Sequence, residues 1–323
     1  MTSGNDFQHH DWVLQKTGAT QIISFHLVQA LWNGYGQLIR LGLRGGSKDS
    51  VILKLVQPPR LTEQTPSDKR KRRSYEVEMN WYGSGAKLCD DDSCRVAHCF
   101  AAEVVDEEAL ILLEDLAAAG FVCGSVPGIE ETKSGLRWLA NFHARFLGPK
   151  PEGLWEQGTY WHLATREEEW HKMPECALKE EAKALDGLLR GARYQSLVHG
   201  DAKPPNFCWN PNRQAAAFDF QYVGLGCGIR DVALFLDRCL GKEGCRKSDQ
   251  EWLDKYFEYL RDAVSTLEPK LDFSDLEQEW RTLFPVAWSD YNRFKLGWGA
   301  PPELDPYSEH QLRLALEVVH SKP

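Results

Sequence analysis

The chain has 323 residues, 42% hydrophobic and 26% charged, and its 38 Lys plus Arg against 47 Asp plus Glu leave a formal net charge of −9. At roughly 100–200 residues per domain, this length predicts about two domains or lobes around a core that needs no disulfide or metal staple. An acidic chain is a poor general nucleic-acid binder. No apolar run approaches the roughly 18 residues of a membrane span. The start, MTSGNDFQHHDW, lacks the basic and apolar regions of a signal peptide, and the nine scattered cysteines predict reduced thiols in a cytoplasmic protein.

In chain order, residues 20–57 read as strands. Gln21–Trp32 and Gln37–Leu43 are rich in β-formers and joined by Asn33-Gly34-Tyr35-Gly36, a hairpin signal, and the run Val51–Val56 ends before Pro58 and Pro59. Residues 61–68 read as a polar loop, followed by a helix through Ser74–Tyr82. The basic run Lys69–Arg73 offers a localisation signal or a phosphate patch, with a solvated loop and helix start as the favoured reading. Arg95–Val105 and Ala109–Leu113 are further strands, ending at Glu114-Asp115-Leu116. Beyond this point the periodicity is helical, as in Leu136, Leu139, Ala140, His143 and Phe146. Capping-box patterns predict helix starts at Ser248, Ser274 and Ser308. A short strand pair, Phe207–Trp209 and Ala215–Asp219, interrupts the helices around a turn at 210–214.

That pair joins the two stretches richest in chemistry. His199-Gly200-Asp201-Ala202-Lys203-Pro204-Pro205-Asn206 precedes it, and Asp219-Phe220-Gln221 follows. An antiparallel return brings Asn206 at the entrance close to Asp219 at the exit, an oxygen pair that suits Mg²⁺. Cys89, Cys94, Cys99 and His98 contain no C-x-x-C pair and make a poor zinc site. G-x-S-x-G and H-E-x-x-H are both missing, which leaves a hydrolase without support.

H-x-D-x-x-x-x-N, followed eighteen positions later by D-F-Q, resembles the catalytic core of the protein-kinase-like fold. HGDAKPPNFCW with AAFDFQYVGLGCGIRDVALFL is similar to its small-molecule kinase branch: aminoglycoside phosphotransferases, choline and ethanolamine kinases, and above all ecdysteroid kinase-like proteins. The resemblance covers about residues 20–300. It implies a bilobal α+β fold, with a strand-rich nucleotide-binding lobe over 1–116 and a mainly helical catalytic and acceptor lobe over 117–323. It further implies ATP and Mg²⁺ as cofactors and transfer of the γ-phosphate to a hydroxyl.

Under that resemblance Asp201 orients the acceptor or takes its proton, and Lys203 screens the transferred phosphoryl group. Asn206 and Asp219 hold the metal. Lys54 is the strand lysine on the α/β-phosphates, and the E-x-x-x-Y spacing selects Glu78 as its partner ahead of Glu76. Gly34 and Gly36 lie in the loop over the nucleotide, where phosphate contact and a plain turn both remain open. Glu114 and Leu116 bound the hinge to adenine, and Asp231 braces the catalytic loop.

The lysine two places after Asp201 is typical of protein kinases. Against this, only 11 residues separate Asp219 from Asp231 and no A-P-E occurs, which is too little for a peptide platform. The expected substrate is therefore a small hydroxylated molecule, cationic or neutral, with no protein, nucleic acid or membrane partner. The alternative is a catalytically inactive relative that binds nucleotide or metabolite as a regulator.

Overall fold

The computed structural model describes residues 7–59, 65–89, 91–124, 126–148, 152–300 and 303–321. Helix α1 (His10–Thr17) leads into three strands, β1 (Gln21–Ala30), β2 (Gly36–Arg44) and β3 (Ser50–Val56). Helix α2 (Pro66–Gly83) and strands β4 (Arg95–Val96), β5 (Cys99–Val105) and β6 (Glu108–Glu114) follow. β1, β2, β3, β6 and β5 lie side by side in that order in one antiparallel sheet. One face of that sheet buries Ile39, Leu41, Leu53, Leu55, Leu110 and Leu112 against Val13 of α1.

α2 begins eight residues earlier than the sequence reading. Thr65 accepts from Asp68 N, the Asp68 carboxylate accepts from Thr65 N, and Pro66 stands at the first helical position. The basic run is therefore inside the helix. Residues 60–64 of the expected polar loop lie outside the described residues.

The second region is mainly helical: α3 (Ile129–Arg145), the short α4 (Glu167–His171) and α5 (Ala177–Glu180), α6 (Ala182–Arg190), α7 (Ile229–Leu267), α8 (Phe273–Gly297) and α9 (Pro306–Ser321). Between α2 and α7 run the short strands β7 (Val122–Cys123), β8 (Ser196–Val198), β9 (Phe207–Trp209), β10 (Ala215–Ala217) and β11 (Gly224–Gly226). The expected hairpin is β9–β10, with Phe207 opposite Ala217. Gly224 and Gly226 are strand residues paired with β8 rather than a loop.

Three helix starts differ from expectation, two of them because an aspartate just upstream takes the capping position. Asp272 accepts from Ser274 N, so α8 opens at Phe273. Asp305 accepts from Tyr307 N and Ser308 N ahead of Ser308 itself. Ser248 does interrupt α7 (φ −150°), but its hydroxyl donates back to Gly244 O.

The cysteine expectation is corrected as well. Cys123 and Cys208 face each other across the β7–β9 ladder and form a disulfide, while Cys89, Cys94, Cys99, Cys176, Cys227, Cys239 and Cys245 are free thiols. Eighty-five residues separate the pair, so only the strand register brings them together. Among the described residues no helix is long and apolar enough to cross a membrane.

The two regions share one core. Trp81 of α2 stacks on Phe220 at 4.7 Å and packs edge-on against Phe142 and Phe146. Trp138, Phe207 and His199 extend the cluster beneath the catalytic loop. β4, from the first region, also pairs in parallel with β10 of the second.

Candidate active site

The catalytic loop leaves β8 through Gly200, whose φ is +81°. A Cβ there would sit 2.1 Å from Tyr222 O, so the position demands glycine on both backbone and packing grounds. Asp231, at the start of α7, is buried and accepts from His199 N (2.5 Å) and Gly200 N (3.0 Å). His143 Nε2 lies 3.3 Å from the same carboxylate and its Nδ1 2.8 Å from Tyr256 Oη. His199 Nε2 donates to Phe218 O, and its Nδ1 accepts from Asp201 N. Burial lowers its pKa, so this imidazole is a neutral strut for the loop.

Asp201 is 7% exposed and asymmetric. Its Oδ2 accepts from Lys203 Nζ (2.8 Å) and Asn206 Nδ2 (3.0 Å), whereas its buried Oδ1 has no hydrogen-bond partner among the described residues. Burial, reinforced by Asp219 and opposed by Lys203, pushes this carboxyl up to about 6.

Asn206 also donates through Nδ2 to Asp201 O (2.8 Å), so both of its donor bonds serve the loop and its amide oxygen is left for a ligand. Asn206 O accepts from Phe218 N at 3.1 Å, so the backbone ends of the hairpin meet one residue before Asp219. Asp219 itself has φ +66°, a left-handed conformation that a non-glycine residue holds only under constraint. Its Oδ1 accepts from Lys54 Nζ (3.2 Å) and Gln221 Nε2 (2.8 Å). Burial works against its charge, but Lys54 and Lys71 overcome that and hold its pKa below the usual aspartate value.

Asn206 and Asp219 provide hard oxygens of the kind Mg²⁺ takes. Among the described residues no cluster of three or more His, Cys, Asp and Glu forms. The protein would thus provide a minority of the ligands, leaving phosphates and water to complete the shell, as Mg²⁺ commonly requires.

Lys54 points from β3 to Glu78 of α2, with Nζ 2.5 Å from Oε2 and both side chains buried. Burial alone would lower the lysine pKa, but Glu78 and Asp219 raise it on balance, and Lys54 remains an ammonium. Burial pushes Glu78 up to about 6 against the pull of Lys54, leaving it ionised at neutral pH. Glu76, the second choice, is exposed and pairs with Arg73.

Gly34 and Gly36 close the β1–β2 turn, but Tyr35 between them is buried and donates to Asp68 Oδ1 at the start of α2. A Cβ on Gly36 would lie 2.0 Å from Leu55 O, so contact with β3 already requires that glycine. Glu114 ends β6 with an ion pair to Arg95 (2.6 Å) and accepts from His98 N. Asp115 is gripped by Arg40 and Ser50, and Leu116 O accepts from Phe121 N. The segment between the two regions is therefore held by side chains from the sheet.

The basic run departs most from its sequence reading. It is not a solvated end: Arg70 donates to Thr165 O, Arg73 to Gly153 O and Leu154 O, and Lys71 to Gln221 Oε1 (3.0 Å). A second group gathers around Arg166, near Lys203. Tyr160, Tyr222, Phe294 and Trp298 form a chain of ring contacts, with the Arg166 guanidinium against Tyr160, Phe294 and Trp298. Lys203 Nζ stands 5.9 Å from the Tyr160 ring.

Comparison with known proteins agrees with this arrangement. Residues 106–272, just over half of the chain, match the phosphotransferase enzyme family. An uncharacterized kinase-like protein of Caenorhabditis elegans is 24% identical over 204 residues, 55% of this chain and 54% of that protein, so the match spans about half of the relative. Three solved structures share the fold over nearly all of both chains. The choline kinase LicA of Streptococcus pneumoniae has TM-score 0.50, 12% identity and coverage of 96% of this chain and 97% of its own. The amicoumacin kinase hAmiN, solved with AMP-PNP, Ca²⁺ and amicoumacin, has TM-score 0.54, 16% identity and coverage of 97% and 94%. A microcompartment-associated aminopropanol kinase has TM-score 0.52, 14% identity and coverage of 96% of each chain. With the H-x-D-x-x-x-x-N loop at the centre of the matched segment and a small-molecule kinase fold around it, the chain belongs to the phosphotransferase enzyme family.

Proposed function

We propose that this protein transfers the γ-phosphoryl group of ATP to a hydroxyl of a small-molecule acceptor. Residues 1–116 would mainly hold the nucleotide and residues 117–323 the catalytic groups and acceptor. The observation that carries this reading is the buried, unpartnered Oδ1 of Asp201, beside an Oδ2 already fixed by Lys203 and Asn206. A desolvated carboxylate oxygen with an open lone pair is suited to receive a hydroxyl hydrogen bond.

The acceptor O–H donates to Asp201 Oδ1, which aligns the oxygen for in-line attack and takes its proton. The new O–P bond forms as the bridging β–γ P–O bond breaks, and ADP leaves. Lys54, kept charged by Glu78, contacts the α/β-phosphates, while Lys203 screens charge on the transferred group. Gly34 and Gly36 cover the phosphates, and the Glu114–Leu116 backbone meets adenine. Asn206 and Asp219 would hold Mg²⁺, which when bound neutralises phosphate charge.

The ring wall of Tyr160, Tyr222 and Trp298, with Arg166 on it, favours a neutral acceptor with apolar faces over a polycation. This narrows the cationic or neutral expectation drawn from net charge.

The test is ADP formation across aminoglycosides, choline analogues, sugars and sterols, comparing wild type with Asp201→Asn. Acceptor-dependent turnover should fall about 10²–10⁴-fold in the variant, and equal turnover would overturn the assignment. A wild type that binds nucleotide but phosphorylates nothing supports the inactive relative instead.

A further inference from the structure

The cleft holds three lysines whose charges are not equally satisfied. Lys54 is paired with Glu78 and Asp219, and Lys203 with Asp201. Lys71 is half-buried, yet its hydrogen-bond acceptor is a neutral amide, Gln221 Oε1 at 3.0 Å, and among the described residues no carboxylate lies within ion-pair distance of it. Asp219, Glu78 and Asp201 act on its charge only from beyond contact distance, and a partly desolvated ammonium lacking a contact ion pair gains from an anion that completes it.

Its location is strongly determined. Lys71, Tyr75 and Glu78 fall at i, i+4 and i+7, on one face of α2. Lys71 Nζ lies 4.8 Å and Lys54 Nζ 5.6 Å from the Tyr75 ring centre. Gln221 Oε1 is held by both Lys71 and Ser74 Oγ (3.2 Å), and Gln221 Nε2 donates to Asp219 Oδ1. The two lysines thus flank Asp219, one directly and the other through an amide that is itself 7% exposed.

We infer that Lys71 contacts the terminal phosphate of the bound nucleoside triphosphate, and that Gln221 is the positioning residue that aims it. This rests on the reading of the cleft as a nucleotide site and extends it. Lys54 is the counter-charge for the inner phosphates, and Lys71, two helical turns toward the N-terminus of α2, is the counter-charge for the outermost one. The glutamine of the Asp219-Phe220-Gln221 triplet then has a purpose that glycine could not serve. It ties the metal-holding carboxylate to this second cation, and it keeps Lys71 from collapsing onto Asp219 when the cleft is empty.

The experiment is calorimetric titration of the full chain with Mg·AMP-PNP and, separately, Mg·ADP. The variants are Lys71→Met, Lys71→Gln and Lys71→Arg, with unliganded melting temperatures as the folding control. Lys71→Gln keeps a donor for Gln221, so it preserves the local bond while deleting the charge. Expected is a loss of at least about tenfold in AMP-PNP affinity for the Met and Gln variants, ADP affinity within about twofold of wild type, and recovery by Arg. Equal weakening of both nucleotides, or none, overturns the role of Lys71 while leaving the nucleotide site intact. If the wild type binds neither nucleotide, the reading of the cleft fails first and this inference falls with it.

Discussion

The catalytic loop and helix α2 bring charge to the same cleft in opposite ways. Within the loop the contacts are short-range: Lys203 N to Asp201 O, Asn206 N to Lys203 O, Asn206 Nδ2 to Asp201, and Asp201 N to His199 Nδ1. α2 is positioned by partners far away in the chain. Arg70 reaches across 95 residues, Arg73 across 80, Lys71 across 150, and Trp81 stacks on Phe220. The loop is thus tied locally and braced from farther off by Asp231 on His199 N and Gly200 N, whereas Lys71, Arg70 and Arg73 of the helix find their partners only when the two regions are packed together, and Glu78 finds Lys54 within the first region.

Substitutions can break this contrast. The largest effect on stability should follow Trp81→Ala, which empties a fully buried site between α2 and the aromatic cluster. A loss of about 3–5 kcal/mol in denaturant unfolding is expected. AMP-PNP affinity should fall with it, although no residue of the loop has changed. Unchanged nucleotide affinity in a folded Trp81→Ala would mean that α2 is held by its polar contacts instead.

Asp201→Asn tests the loop and should act in the opposite direction, stabilising the fold as it removes turnover. Burial pushes the Asp201 carboxyl up to about 6, above the ordinary aspartate value, so the folded chain binds its proton more tightly than the unfolded chain. Ionised Asp201 thus costs stability at neutral pH, and the cost fades as pH falls through 6 toward 4. The variant should be more stable than wild type by about 1–3 kcal/mol at pH 7.5, with the gap closing near pH 4. Wild-type turnover should fall over the same window, as the carboxylate that receives the acceptor proton is lost. A gap independent of pH would show that Asp201 is not the group responsible.

The smallest effect belongs to Arg73→Ala. Its guanidinium is half-exposed and bonds two backbone carbonyls at 3.2 and 3.3 Å, so about 0.5–1 kcal/mol is expected. A much larger loss would show that the junction between α2 and residues 153–154, rather than Trp81, fixes the helix.

Legibility followed the same division. The β9–β10 hairpin was expected and lies where a tight turn and one strand register determine it, and the buried Lys54–Glu78 pair was expected from the E-x-x-x-Y spacing although it joins a strand to a helix. The solvated reading of Lys69–Arg73 failed because nothing near that run in the sequence announces Thr165, Gly153 or Gln221. Thr65-Pro66-x-Asp68 was a readable cap for α2 and would have placed Lys71 one turn from Tyr75. The Cys123–Cys208 bridge and the Arg166 ring wall had no comparable signal, since each joins segments at least 85 residues apart or gathers residues from 160 to 298.

By itself, then, the sequence determined the order of elements and the H-x-D-x-x-x-x-N loop with its hairpin, because turns, caps and strand alternation act over a few residues. Tertiary structure alone decided which cations face the cleft and which of them find carboxylates. Burial and ion pairing depend on what the rest of the chain packs around a side chain, and packing leaves Asp201 Oδ1 without a hydrogen-bond partner among the described residues and Lys71 bonded to an amide.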